Sequence, residues 1–152
     1  MDTKPIIIIA LIISAVLLAV KVSPEINTDQ FREGKYIHID SIVIQFNKFN
    51  ANVNMEYHLS PFAEAYIFLF GSKHLEPKIK EIFADFKIIK IWDIGSNSAS
   101  LQVTNISRKS DPYYLHESRK FGVQPDVLTL VYPDGTRRNI QNPKSTPNAF
   151  YT

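Results

Sequence analysis

The sequence predicts an α+β protein with an N-terminal transmembrane helix and one small antiparallel-sheet domain, in which three hairpins carry two or three helices on one face. Sixteen uncharged residues, Pro5 to Val20, lie near the start of the chain between two lysines. Three pairs of short apolar segments joined by turn residues follow, which is typical of hairpins. The chain has 152 residues, a length that favours one domain with an appendage.

The composition is that of a folded chain and excludes several kinds of chemistry. Hydrophobic residues make up 45% of the sequence and charged residues 21%, which excludes a disordered or collagen-like protein. The formal net charge of +2 is too small to indicate a nucleic-acid partner. The chain has no cysteine, so disulfides, thiol catalysis and Cys-ligated metal sites are excluded.

Residues 5–22 are expected to form a membrane anchor or an uncleaved signal, after a short tail at residues 1–4. As a helix, the uncharged stretch would be about 24 Å long, so it spans a bilayer core of about 30 Å only if the flanking lysines reach outward. A cleaved signal peptide is the alternative, but residues 19–23 lack the pattern of two small residues, one residue apart, that is typical of a cleavage site. We therefore expect a single-pass cell-membrane protein with an extracytoplasmic domain.

Residues 23–34 are polar and are expected to link the anchor to a single domain at residues 35–152. The domain begins with a hairpin. Ile37 and Ile39 alternate with polar neighbours, whereas the next apolar residues alternate in the opposite phase, which predicts a bulge or a break at Asp40. The strand after the turn alternates strictly, with apolar residues at Val53, Met55, Tyr57 and Leu59.

Two helices are predicted after the first hairpin. A Ser-Pro pair is typical of a helix start, and the apolar run Phe62 to Phe70 that follows it ends at Gly71. A buried strand over residues 65–70 remains an alternative, because short apolar runs fit both structures. Residues 77–86 place apolar and charged side chains on opposite helix faces, so that helix is expected to pack on the sheet.

Two further hairpins complete the predicted sheet. Residues 87–94 and 100–106 flank a turn-rich loop, and residues 127–132 precede a Pro-Asp-Gly turn. Residues 127–132 are apolar on both sides and are expected to be central and buried on both faces. Between these hairpins, residues 108–126 are expected to form a long loop or a short helix that ends at Gly122. The C-terminal tail has two prolines and is expected to be irregular.

The segment Tyr113–Lys120 contains the candidate catalytic residues, which are Tyr114, His116 and Glu117. A histidine near a carboxylate and a hydroxyl can act as a general base, and long connections often carry binding or catalysis. Residues adjacent in sequence seldom form a catalytic constellation, however. The alternative is a solvated loop whose tyrosines cover the edge of the sheet.

Three basic pairs in the C-terminal half are candidates for binding an anionic partner. Clustered, they could bind anionic headgroups, an envelope polymer or an acidic protein, and the alternative is scattered surface charge. The pairs are Arg108 with Lys109, Arg119 with Lys120, and Arg137 with Arg138.

No cofactor and no metal are expected. The five glycines have none of the spacings of a phosphate-binding loop. His38 and Asp40 lie two residues apart, as a pair of metal ligands would on an unbroken strand. The phase change at Asp40 weakens that geometry, and the sequence identifies no third ligand. We therefore interpret the pair as part of a solvated strand face.

These observations favour a non-enzymatic accessory or interaction protein, attached to the membrane by residues 5–22, whose partner is a protein or an anionic envelope polymer and not a nucleic acid. This hypothesis predicts a contiguous exposed apolar or basic patch. A small ligand-binding or hydrolytic domain that uses Tyr113–Lys120 is one alternative, and it predicts a cleft with a perturbed imidazole or carboxyl pKa. A minor subunit of a larger membrane complex is another.

Overall fold

A computed structural model describes residues 36–152, which form nine β-strands and two α-helices. The first hairpin consists of β1 (Ile37–Asn47) and β2 (Asn50–Leu59), and α1 (Pro61–Phe70), a 3-10 turn (Ser72–Leu75) and α2 (Glu76–Ile82) follow. The remaining strands are β3 (Ile88–Ile94), β4 (Ser98–Thr104), β5 (Ser107–Ser110), β6 (Tyr113–His116), β7 (Val127–Val131), β8 (Arg137–Gln141) and β9 (Ala149–Tyr151).

Six of these strands form one mixed sheet in the order β3-β4-β2-β1-β7-β8. All neighbours are antiparallel except β1 and β7, which pair in parallel from Ser41 opposite Val127 to Gln45 opposite Val131. A parallel pair needs a long crossover, and here the crossover contains every element from β2 to β6. The other three strands form a small antiparallel sheet in the order β5-β6-β9.

The six-stranded sheet buries one face and leaves the other open to solvent. Side chains alternate across a strand, and in β2 the buried residues are apolar while those between them are Asn52, Asn54, Glu56 and His58. The strict alternation of β2 is therefore confirmed. Ile79 and Ile82 of α2 belong to the same buried cluster as this face, and so do Phe83 and Phe86 just after the helix. The apolar residues predicted to pack on the sheet are therefore buried, but the helix predicted over residues 77–86 ends at Ile82.

A β-bulge keeps β1 in phase with that core. The register between β1 and β2 shifts between Ile39 and Ser41, so Asp40 is an extra residue with no partner in the ladder. Because of this one extra residue, Ile39 and Ile42 both point to the buried face and are fully buried. The bulge predicted at Asp40 is confirmed.

The structure corrects the predicted fold class. The described residues are mostly sheet, with a mixed six-stranded sheet and a second small sheet instead of three hairpins in one antiparallel sheet. Among residues 36–152, no helix is long and apolar enough to cross a membrane. The anchor predicted at residues 5–22 lies outside the described residues, so the predicted transmembrane, signal-anchor and single-pass membrane assignment gains no support. That prediction is withdrawn.

One local prediction is confirmed and three others change. The apolar run after Ser60 is the predicted helix and not the alternative strand. Part of the segment 108–126, expected as a loop or a short helix, is strand, since β5 and β6 pair as a hairpin. Strand β9 lies in the tail that was expected to be irregular, and it pairs with β6. Strand β7 lies inside the sheet but is buried on one face only, because Val127, Thr129 and Val131 are partly exposed.

The close contact between Gly122 and the end of α2 generates a test of this packing. The Gly122 N–H donates to the Ile82 carbonyl oxygen at 2.8 Å, and a Cβ on Gly122 would lie 2.5 Å from the Glu81 carbonyl oxygen. Backbone at a helix end cannot move aside freely, so Gly122→Ala is expected to lower the free energy of unfolding by about 1–3 kcal/mol. Urea denaturation followed by circular dichroism measures the change.

The matched control is Gly95→Ala, where a Cβ would come no closer than 3.4 Å to a neighbouring atom. This variant should lose clearly less stability than Gly122→Ala. Equal losses in the two variants would contradict the contact between Gly122 and α2.

Candidate functional site

The outer surface of α1 is the largest run of exposed apolar side chains among residues 36–152. Proline at its first position favours the helix start, and Gly71 ends the helix at a φ of 91°, with its N–H bonded to the Ile67 carbonyl oxygen at 2.8 Å. Only Ala63 and Ile67, one turn apart, are buried in this helix. The exposed large residues of α1 are Phe62, Tyr66, Phe68, Leu69 and Phe70.

Three consecutive residues make this surface unusual. The exposed fractions of Phe68, Leu69 and Phe70 are 88%, 72% and 61%. Phe68 and Leu69 also border a shallow depression of about 460 Å³ on the helix. Glu64 is the only charged residue of α1. We define Tyr66, Phe68, Leu69 and Phe70 as the α1 surface.

The area of the α1 surface is that of a binding surface. A large aromatic side chain presents about 150–250 Å², so with its neighbours in α1 this surface exposes on the order of 500–600 Å² of apolar area. Patches of about 300–600 Å² are the largest on typical monomers and are often functional. Consecutive residues of a helix point about 100° apart, so these exposed apolar side chains lie around the outer sides of α1 and not on one flat face.

The candidate catalytic residue His116 lies in the interior, fully buried at the end of β6. Its Nδ1 lies 3.0 Å from the Ile106 carbonyl oxygen, and its Nε2 lies 2.7 Å from the Thr146 hydroxyl oxygen. A carbonyl only accepts, so Nδ1 donates to Ile106. Burial lowers the pKa of His116 and so favours the neutral ring, in which Nε2 accepts from the Thr146 hydroxyl. The Thr146 hydroxyl in turn accepts the Arg119 N–H at 2.9 Å. Both ring nitrogens are engaged within the protein.

Burial changes the pKa of the His116 ring. Desolvation is the largest cause that lowers the pKa of His116 below its ordinary value, and the nearby Arg119 charge lowers it further. The hydrogen bond to Ile106 and the charge of Glu117 act in the opposite direction. A perturbed pKa in a closed, hydrogen-bonded ring is typical of a structural histidine and does not by itself indicate a general base.

The other two catalytic candidates have separate partners. The ring of Tyr114 stacks on Tyr151 at 5.9 Å and meets the edge of Phe49 at 5.1 Å. Glu117 is exposed and forms an ion pair with Arg108 at 3.2 Å. Tyr114 thus belongs to an aromatic cluster around β9 and Glu117 to the surface, so these side chains are not arranged around a shared substrate position.

Three of the six basic candidates line one cleft, and the other three lie elsewhere. Arg119 borders a cleft of about 320 Å³, which is also lined by Lys87, Arg108, Lys109 and Glu117. The backbone N–H of Lys120 donates to the Asp85 carboxylate at 2.7 Å.

The third basic pair is divided between two surfaces. Arg138 lines another depression, of about 560 Å³, together with Asp134, Tyr132 and Phe150. Arg137 is exposed in β8, where it pairs with Val131 of β7. The six basic residues therefore form no single patch.

A group of side chains that the sequence did not bring together lies at the start of β1. His38 and His58 pair directly across β1 and β2, and their rings lie 4.7 Å apart. Asp40, at the bulge, accepts a hydrogen bond from His58 at 2.7 Å, and Asp126 lies 2.9 Å from His38. The register of the hairpin could have identified His58, whereas Asp126 is 88 residues from His38 and left no signal.

Comparison of this chain with models of protein families, with curated proteins and with solved structures gave no match. The functional proposals below therefore depend on the geometry of the described residues.

The buried state of His116 generates a prediction on the pH dependence of stability. Because folding lowers the pKa of this ring, the unfolded chain takes up a proton that the folded chain excludes once the pH falls below about 6.5, the ordinary value. The stabilisation is therefore complete above that pH and is lost on acidification. In His116→Gln we expect the free energy of unfolding at pH 7.5 to fall by about 1–3 kcal/mol and the loss between pH 7.5 and 5 to become smaller.

Urea denaturation at a series of pH values measures both effects. The control is His74→Gln, which removes an exposed histidine and should keep the pH dependence of the unmodified chain. An unchanged pH dependence in His116→Gln would contradict the buried neutral ring.

Proposed function

We propose that this protein is a non-enzymatic interaction module that associates with a second copy of itself through the α1 surface. The observation that carries the proposal is the exposure of Phe68, Leu69 and Phe70 on a helix in which only two residues, Ala63 and Ile67, are buried. Water contact with large apolar side chains is unfavourable, and a partner surface that removes it gains about 25 cal/mol per Å² of apolar area.

The chemistry of the α1 surface favours a protein as the partner. Cores of protein interfaces are enriched in aromatic residues and depleted of charged ones, and this surface carries two phenylalanines, a tyrosine and a leucine. A polyanion or a small polar ligand would need several cations or hydrogen-bond donors, and Glu64 is the only charged residue of α1.

The area of the surface favours a second copy. Two α1 surfaces packed against each other would bury on the order of 1,000–1,200 Å² in total, which reaches the lower end of specific, stable interfaces. A two-fold interface uses the same patch on both subunits and is the commonest arrangement in homo-oligomers. The positions of two charges also fit a two-fold interface. Glu64 lies in the first turn of α1, and Lys73 lies just beyond its end. Antiparallel packing of the two helices brings these opposite charges close together.

The hydrolytic alternative has less support. It requires an imidazole that can reach a substrate, and both nitrogens of His116 already bond to Ile106 and Thr146 in a fully buried position.

The double substitution Phe68→Glu with Leu69→Glu tests the interface. We expect the full-length chain to sediment as a dimer and the double variant as a monomer, with the dissociation constant raised at least about 100-fold, because central aromatic residues of an interface each contribute roughly 2 kcal/mol or more. Sedimentation velocity over a range of protein concentrations measures the equilibrium.

The matched control is Phe150→Glu, which places the same charge at an aromatic residue of β9 that is 67% exposed but lies outside α1. This variant should remain a dimer. Circular dichroism establishes that every variant is folded. A monomeric wild-type chain would contradict the proposal, and so would a dimer that persists in the double variant.

A further inference from the structure

We propose that His38, Asp40 and His58 bind one divalent transition-metal ion of the Zn²⁺ class, with Asp126 as an additional carboxylate beside them. The three proposed ligands offer atoms that all lie within 4.8 Å of one another. This site is independent of the α1 surface and of its proposed self-association.

The backbone arranges these side chains on the open face of the six-stranded sheet. His38 and His58 are direct cross-strand neighbours, so their rings project side by side. The bulge residue Asp40 has no partner in the ladder, and its carboxylate lies 2.7 Å from His58 Nδ1 and 3.9 Å from His38 Nε2. Bulges commonly redirect a side chain in this way. Here the bulge moves Asp40 between the two histidines.

The spacing of the ligand atoms suits a small metal ion. Zn²⁺ binds imidazole nitrogen and carboxylate oxygen at about 2.0–2.2 Å in tetrahedral geometry, so neighbouring ligand atoms lie roughly 3.4 Å apart. The separations of 2.7 and 3.9 Å lie on either side of that value. The side chains of His38 and His58 are 49% and 66% exposed, so small rotations of the two rings can close the difference.

Asp126 brings a second carboxylate to the site from a distant part of the chain. Its Oδ2 atom lies 2.9 Å from His38 Nε2, and its backbone N–H donates to the Ile39 carbonyl oxygen at 3.0 Å. The residue is therefore fixed at the start of β7, beside β1. When a metal takes the lone pair of Nε2, the Asp126 carboxylate remains close enough to bind the ion as a further ligand.

The ligand types select the class of metal. Two imidazoles with a carboxylate suit Zn²⁺ and similar transition metals, whereas Ca²⁺ and Mg²⁺ prefer sites made of oxygen ligands alone. Ion pairing without a metal is the competing explanation of the cluster. Exposed ion pairs contribute little stability, however, and that explanation does not require both histidines to face the same carboxylate.

Isothermal titration of the full-length chain with ZnCl₂, after treatment with a chelator and without a histidine tag, tests the site. We expect one Zn²⁺ per chain, and no comparable binding of CaCl₂ or MgCl₂. His38→Ala, Asp40→Asn and His58→Ala should each weaken binding at least about 100-fold. Asp126→Asn should weaken it less, by about 10-fold, because it removes the carboxylate that lies 2.9 Å from the ligand atom of His38.

The control is His74→Ala, which removes an exposed histidine outside the cluster and should leave the affinity for Zn²⁺ unchanged. Substitution with Co²⁺ gives a second readout, since tetrahedral Co²⁺ absorbs visible light strongly and the His58→Ala chain should lose that absorption. The proposal is overturned if the chain binds no Zn²⁺, or if His58→Ala and His74→Ala bind it equally well.

Discussion

The β-bulge at Asp40 is the constraint on which most of the described domain depends. Alternation along β1 changes phase there, and without the extra residue either Ile37 and Ile39 or Ile42, Ile44 and Phe46 would face solvent. Strand β1 pairs with β2 on one side and with β7 on the other. The residues of β1 that point to the core therefore determine which residues of β2 and β7 point to the core as well. The same extra residue directs a carboxylate to two histidines, so one local irregularity serves both the core and the proposed metal site.

A second set of polar contacts fixes the small sheet to the core and explains the sequence of the segment Tyr113–Lys120. The hydrogen-bond chain from Arg119 through Thr146 and His116 to Ile106 joins three separate stretches of backbone. Phe46 of the main sheet packs against His116 at 5.1 Å and Tyr151 at 4.8 Å. The residues of Tyr113–Lys120 that suggested an active site in the sequence, His116 and Tyr114 above all, therefore form packing contacts and hydrogen bonds between the small sheet and the core.

Local patterns predicted the local structure well. Some features depend only on neighbouring residues, and periodicity in the sequence reveals them. These are the alternation of β2, the bulge at Asp40, the apolar stripe within residues 77–86 and the turn before β8. Pairings between distant segments leave no such signal, which is why β1 beside β7 and β9 beside β6 were missed. Strands β5 and β6 have four residues each, too few to show a period. Helix α1 is apolar apart from Glu64, and the alternative of a buried strand over residues 65–70 expected burial where the structure shows exposure.

The two proposed sites lie close together along the chain. His58 lies near the end of β2, three residues before α1 begins at Pro61. Between them, the Ser60 N–H donates to the Tyr36 carbonyl oxygen at 2.9 Å. The central claim is that α1 functions as a docking surface. Hydrogen–deuterium exchange of the full-length chain at low and high protein concentration tests it most directly, since association should suppress local opening of this helix. We expect exchange in Pro61–Phe70 to slow as the concentration rises while exchange in β8 stays constant. Exchange in α1 that does not depend on concentration would contradict the claim.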